Sequence, residues 1–220
     1  QSNAMKPIRV LLVDDQPLIR EALRTFLSQS EEIEVVGAAA SGQQALDKIE
    51  NCLPDVVILD IRMPDMDGVE TTIKIHKLFP ELAILGLSSI SDKHRATEML
   101  QAGAKGFLTK ETPTTEIVTA ILRVAKGETY VSTSIFAEEL ALGQTIEQAM
   151  EALSSKLLTH REKDIVRALA RGLTNSGVAE KLFVSPRTVE KHRQNIMQKL
   201  DLQNGVELVA YAYRVGIIDD

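Results

Sequence analysis

From Ile8 to Lys126, short apolar runs rich in β-branched residues alternate with longer stretches whose apolar positions recur at helical spacing. The runs are Ile8–Val13, Ile33–Ala39, Asp55–Leu59, Leu82–Leu87 and Lys105–Leu108. Their near-continuous apolar character predicts strands covered on both faces, because a strand with one wet face would alternate. The stretches between them have room for crossover helices, and the punctuation agrees. Pro17 and Pro113 fall at first-turn positions, Gly103 follows a helix end, and Pro80 separates the third helix from the fourth strand. The pattern predicts an α/β fold: a flavodoxin-like, doubly wound, five-stranded parallel sheet of order 2-1-3-4-5.

After Gly127 the pattern changes. Residues 132–155 carry a helical stripe of Phe136, Leu140, Ile146, Ala149 and Leu153, read as a linker with its own helix. From Leu157 on, every apolar run has helical spacing, which predicts a small all-α domain. Thr159 with Glu162 three residues later forms a capping box for a helix running to about Arg171, before Gly172. Thr174 or Asn175 then caps a short helix through Val178, Ala179 and Leu182. A turn at Phe183–Ser185 leads to a longer helix with Ser185 as N-cap and Pro186 as first residue. That is a helix-turn-helix pattern. On its second helix Val189, Ile196 and Leu200 face inward with His192 or Arg193 beside them, while Arg187, Lys191, Gln194 and Lys199 face out. The organisation reads as a cloning remnant at 1–4, an α/β domain at 5–127, a linker at 128–155 and a helical domain at 156–220.

The 220 residues are 44% hydrophobic and 25% charged with no Trp, a composition that excludes fibrous, low-complexity and disordered classes. No apolar run approaches the ~18 residues of a membrane span, and the N-terminus lacks a signal-peptide pattern, so the expectation is a cytoplasmic protein without a membrane partner. Cys52 is the sole cysteine, which excludes an internal disulfide and a cysteine zinc site. The net charge of −6 is unevenly spread. Residues 155–220 hold 11 basic against 8 acidic side chains, or +3, and the preceding 154 residues hold 14 against 23, or −9. Only the C-terminal part invites nucleic acid.

Functional groups of an open parallel sheet gather at the carboxyl ends of its strands. Asp14 and Asp15 end the first strand and Asp60 the third, on either side of the point where the strand order reverses. Three converging acids repel one another unless a cation joins them, and carboxylates with carbonyl and water ligands favour Mg²⁺. Ser88 and Lys110 bring a hydroxyl and an ammonium to the same edge. A carboxylate nucleophile, a divalent cation, a hydroxyl and a lysine suit phosphoryl transfer onto aspartate. Asp65 to Gly68 does not complete a calcium loop, since Met63 and Lys74 occupy ligand positions. There is no phosphate-binding glycine loop, and His76, His94, His160 and His192 lack metal spacing.

Val13-Asp14-Asp15, Leu59-Asp60-Ile61-Arg62-Met63-Pro64, Asp67-Gly68, Leu87-Ser88-Ser89 and Gly106-Phe107-Leu108-Thr109-Lys110 together resemble the receiver domain of two-component response regulators. Leu158 to Glu162, Gly172 to Asn175, Val178-Ala179, Leu182, Val184 to Val189, His192, Asn195-Ile196 and Lys199-Leu200 look like the LuxR-type DNA-binding domain. The pair implies a response regulator of the NarL/FixJ type. By that resemblance Asp60 is the phosphoacceptor, served by a sensor histidine kinase. Asp15, Asp60 and the Arg62 main-chain carbonyl bind Mg²⁺ directly, and Asp14 binds it through water. Ser88 and Lys110 contact the phosphoryl oxygens, Ser89 leaves room for them, and Phe107 holds the position of a switch aromatic. Arg187, Thr188, Lys191, Gln194 and Lys199 are the expected DNA contacts on a recognition helix from Pro186 to Leu200. The implied partners are promoter DNA and a second copy on activation, with RNA polymerase a further candidate.

The sequence departs from the family at Phe107, at Glu111 after Lys110, at Ser176-Gly177, at Gly205 and at Glu190, which would face phosphate or a base edge. A constitutive DNA-binding regulator and a phosphohydrolase are the rival readings. No second general acid accompanies Asp60, so the expectation is a non-enzyme with only slow loss of its own acyl phosphate.

Overall fold

The structure is a computed structural model that describes residues 6–64, 66–88, 93–154, 156–214 and 217–218. Ser89, the expected cloning remnant at 1–4 and Asp65 lie outside the described residues. The chain forms two compact units, Gln1–Ala149 and Met150–Asp220.

In the N-terminal unit the strands are β1 (Ile8–Val13), β2 (Ile33–Ala39), β3 (Val56–Asp60), β4 (Ala83–Ser88), β5 (Gly106–Thr109) and β6 (Tyr130–Val131). They form one parallel sheet in the order β2-β1-β3-β4-β5-β6. The helices between them are α1 (Pro17–Leu27), α2 (Gly42–Cys52), α3 (Gly68–Leu78), α4 (Lys93–Gln101) and α5 (Thr114–Ala125). Every residue of β3 and β4 is buried, as the unbroken apolar runs require. Val10, Val56, Leu85, Ala120 and Ile121 are fully buried in a core that the sheet shares with α1 and α5. Pro17 is the first residue of α1, whereas Pro113 is the N-cap of α5 rather than its first turn.

The sheet has a sixth strand in place of the five expected. Tyr130 and Val131 pair with Gly106 and Phe107 and cover the outer edge of β5. Two residues carry no readable alternation. What holds them is tertiary: the Tyr130 hydroxyl donates to Glu116 at 2.9 Å, and the Arg123 guanidinium lies 5.5 Å from the ring centroid. A 3-10 turn, Thr133–Phe136, then buries Ile135 and Phe136 before α6 (Ala137–Ala141). The stretch expected as a linker with one helix thus belongs largely to the N-terminal unit. Its helix is two, because Gly143 at φ +79° separates α6 from α7 (Ile146–Ser154).

The C-terminal unit holds α8 (His160–Ala170), α9 (Asn175–Leu182), α10 (Pro186–Lys199) and α11 (Gly205–Arg214). Ile165, Val166, Val178, Val189, Ile196, Leu208 and Ala212 form its core. The Thr159–Glu162 capping box opens α8, Thr174 caps α9, and Ser185 with Pro186 opens α10. Phe183 takes a left-handed conformation at φ 55° and turns the chain between α9 and α10. Among the described residues no helix is long and apolar enough to cross a membrane.

Candidate phosphoacceptor site and nucleic-acid face

The carboxyl ends of β1, β3, β4 and β5 bring five side chains to one edge of the sheet. Asp60 is the last residue of β3 and Ser88 the last of β4, each 2% exposed or less. Asp14 and Asp15 follow β1, and Lys110 follows β5. Ligand atoms of Asp14, Asp15 and Asp60 lie within 4.8 Å of one another. The Lys110 ammonium sits between two of them, 3.2 Å from Asp14 Oδ2 and 3.2 Å from Asp60 Oδ2. Asp14 is held further by the Gln16 amide, which donates to Oδ1 at 2.8 Å, and by Arg20, which donates to its main-chain carbonyl at 2.6 Å.

Burial and the neighbouring Asp14 push the Asp60 carboxyl up to about 6, although Lys110 and the Arg62 amide pull the other way. At neutral pH it is therefore mostly ionised and nucleophilic. Burial pulls the Lys110 ammonium down, but Asp60 and Asp14 outweigh it and leave its pKa raised, so the side chain is a permanent cation.

Three carboxylates against one ammonium leave the cluster short of two positive charges. Asp15 Oδ1 is buried and has no hydrogen-bond partner. An orphaned carboxylate oxygen beside two other carboxylates fits a hard divalent cation such as Mg²⁺. Of the expected set, Asp14, Asp15 and Asp60 meet at one point. Arg62 adjoins them, with its main-chain N–H turned to the Asp60 carboxylate.

Phe107 is 1% exposed, so its ring already points inward. It packs on Gly86, where an added Cβ would come within 2.7 Å of the ring, and Met99 closes the same space. The reorientation expected of a switch aromatic would start from this buried position.

In the C-terminal unit a groove along α10 is lined by Ser185, Arg187, Thr188, Lys191, His192 and Asn195. Arg187, Thr188 and Lys191, three of the expected DNA contacts, lie on this face. Ser185, His192 and Asn195 share the face, a placement that the charge pattern did not single out. Gln194 is exposed nearby, its amide donating to Glu190 Oε1 at 3.2 Å. Lys199 is engaged elsewhere, its ammonium 3.0 Å from Glu162 Oε2 in the α8 capping box. Glu190, expected to face phosphate or a base edge, is partly exposed and accepts a hydrogen bond from Asn175 at the start of α9.

Comparison with known proteins identifies the family of each part of the chain. Residues 10–122 match the family model of the response regulator receiver domain, and residues 156–212 match that of bacterial regulatory proteins of the luxR family. Oxygen regulatory protein NreC of Staphylococcus epidermidis is 38% identical over 217 residues, which span 96% of this chain and 100% of that protein. Response regulator protein VraR of Staphylococcus aureus is 33% identical over 211 residues, 96% of this chain and 99% of that one. Among solved structures, response regulator ChrA of a heme-sensing two-component system is 29% identical, with a TM-score of 0.54 over 96% of this chain and 99% of its own. RcsB of Salmonella typhimurium is 25% identical, with a TM-score of 0.59 over 94% and 98%.

Proposed function

The chain belongs to the response regulators that join a receiver domain to a luxR-family DNA-binding domain and regulate transcription, and we propose that Asp60 is the residue through which it is switched. The supporting observation is the meeting of the Asp60 carboxylate with Lys110 at 3.2 Å inside a cluster that also holds Asp14 and Asp15.

The phosphodonor is the phosphohistidine of a sensor histidine kinase. An Asp60 oxygen attacks phosphorus, the N–P bond breaks as the new O–P bond forms, and the imidazole leaves as the neutral base after gaining a proton. Lys110 and Ser88 at the strand ends contact the oxygens of the transferred group. Asp14, Asp15, Asp60 and the Arg62 carbonyl would hold Mg²⁺, which supplies positive charge against those oxygens when bound. Water later cleaves the acyl phosphate to inorganic phosphate and the free carboxylate, and this slow turnover is the only catalysis.

The acyl phosphate replaces a single carboxylate charge with nearly two and adds acceptor oxygens, which draws on Ser88 and Lys110. The altered receiver surface pairs with a second copy, and the paired α10 helices read two half-sites of promoter DNA. Arg187, Thr188, Lys191 and Gln194 make that contact on the α10 face. RNA polymerase is the downstream partner, and the protein works in the cytoplasm. The boundaries of function are a receiver body that includes β6 and α6 and a DNA-binding unit that starts at about residue 156.

Gel filtration with light scattering tests this reading, with and without Mg²⁺ and beryllofluoride, on the wild type and Asp60→Asn. A shift from monomer to dimer in the wild type alone is expected. Identical behaviour of both proteins, with identical DNA binding, would overturn the switch.

A further inference from the structure

Lys110 acts from a turn, and the turn is tied by a side chain with no part in the chemistry above. β5 ends at Thr109, beyond the reach of β6, whose last hydrogen bond is from the Ser132 amide to the Phe107 carbonyl at 2.9 Å. In a parallel strand alternate residues present both main-chain groups to the same side, so Thr109 faces the edge that β6 has left open. Thr112 fills that place. Its Oγ1 accepts from the Thr109 amide at 3.1 Å and shares a second hydrogen bond with Thr109 Oγ1 at 3.1 Å. Its own amide donates back to the Thr109 carbonyl at 3.0 Å. Both threonines are buried, at 1% and 7% exposure. On the opposite side the Lys110 amide donates to the Ser88 carbonyl at 2.6 Å.

The structure assigns Thr112 as a positioning residue: its hydroxyl closes the Thr109–Thr112 turn and so fixes the main chain from which Lys110 reaches Asp60 and Asp14. The inference rests on Asp60 being the phosphoacceptor. The physical reason is that the lysine side chain is long and has many rotamers, and its ammonium is held in place only if the backbone at its root is fixed. Ser88 and Lys110 are joined through the same turn, so loosening it relaxes both groups expected to meet the phosphoryl oxygens. The three acids lie at the carboxyl ends of β1 and β3, whose main chain does not run through this turn.

The test uses the full chain with acetyl phosphate, comparing wild type, Thr112→Val and Thr112→Ser. Phosphorylation of Asp60 is followed by intact mass, Mg²⁺ binding by titration calorimetry, and folding by circular dichroism. Valine keeps the shape and removes the hydroxyl. The expected result is a rate of Asp60 phosphorylation about tenfold or more below wild type in Thr112→Val. Mg²⁺ affinity should be unchanged, and the rate should be restored in Thr112→Ser. A wild-type rate in Thr112→Val would overturn the assignment. So would parallel loss of Mg²⁺ binding and fold without rescue by serine, which marks a general lesion. If the wild type itself gains no phosphoryl group on Asp60, the function proposed above fails and the inference falls with it.

Discussion

Lys110 Nζ stands 3.2 Å from Asp60 Oδ2, yet the Asp60 carboxyl is pushed from its ordinary 3.8 up to about 6. Burial is the larger influence and Asp14 adds to it, so one ammonium shared between two acids does not offset their confinement. The folded state therefore holds the Asp60 proton more tightly than the unfolded chain does. Below pH 3.8 both states are protonated and the group is neutral to stability. Between 3.8 and about 6 the unfolded chain ionises first, and the fold loses stability as pH rises; above that the loss is complete. In chelator, Asp60→Asn should be more stable than wild type by on the order of 1–3 kcal/mol at about pH 7.5, with the difference gone near pH 4. Urea denaturation at a series of pH values measures this, and a difference that grows toward acid would refute the assignment of charge.

Asp15 presents the opposite case, a carboxylate oxygen that is buried and has nothing to accept from. Its replacement removes no hydrogen bond at that oxygen and relieves repulsion within the cluster. Asp15→Asn should leave the metal-free protein at least as stable as wild type while weakening Mg²⁺ by about tenfold or more, the equivalent of ~1.4 kcal/mol. Melting curves with and without Mg²⁺ separate the two effects, because the rise in Tm on adding the ion should shrink in the variant. An unchanged rise would remove Asp15 from the ligand set.

Gly177 sits in the first turn of α9 with no left-handed conformation to protect. The nearest atoms to an added Cβ would be those of the Leu173 side chain, at 3.7 Å, which is ordinary contact. Its amide donates to the Thr174 cap at 3.2 Å, a bond that alanine retains. Gly177→Ala should stabilise the C-terminal unit by about 0.4–1 kcal/mol, through the reduced freedom of the unfolded chain. Thr174→Ala should cost about 1 kcal/mol by loss of the cap. Thermal melts of the two variants should shift in opposite directions.

What could be read from the chain alone followed from local rules. The continuous apolar runs predict β1 to β5 because a strand buried on both faces needs nothing else, and a carboxylate at such a strand's end falls at the sheet edge. The capping box of Thr159 and Glu162 and the Ser185-Pro186 start of α10 are equally local, and both stand in the structure. β6 was not legible, since its reason is the open edge of β5 and not any pattern in Tyr130-Val131. The partners of Glu190 and Lys199 were not legible for a related reason. Counted along α10 both lie among the outward charges, but their partners are set by tertiary packing: Asn175 for one, and Glu162, 37 residues distant, for the other. Thr112 had no sequence signal, because its role exists only where β6 stops short.

The division between Lys191 and Lys199 can be measured. Lys191 is exposed in the α10 groove beside Arg187 and His192, free to meet a phosphate. Lys199 is one-quarter exposed and paired with Glu162, which is itself 13% exposed. Lys191→Ala should lower DNA affinity and reduce the slope of log affinity against log salt by about 0.9, the value of one lost phosphate contact. Lys199→Ala should leave that slope near wild type and destabilise the C-terminal unit by about 0.5–1.5 kcal/mol. The loss should also depend on pH. Burial raises the Glu162 carboxyl, but the Thr159 amide and Lys199 outweigh it and hold its pKa below the ordinary 4.5. The pair thus stabilises the fold above 4.5 and ceases to do so as pH falls through the depressed value. Wild type and Lys199→Ala should therefore converge in stability in acid and separate toward neutral pH. A reduced salt slope in Lys199→Ala, with stability unchanged, would return this residue to the DNA face.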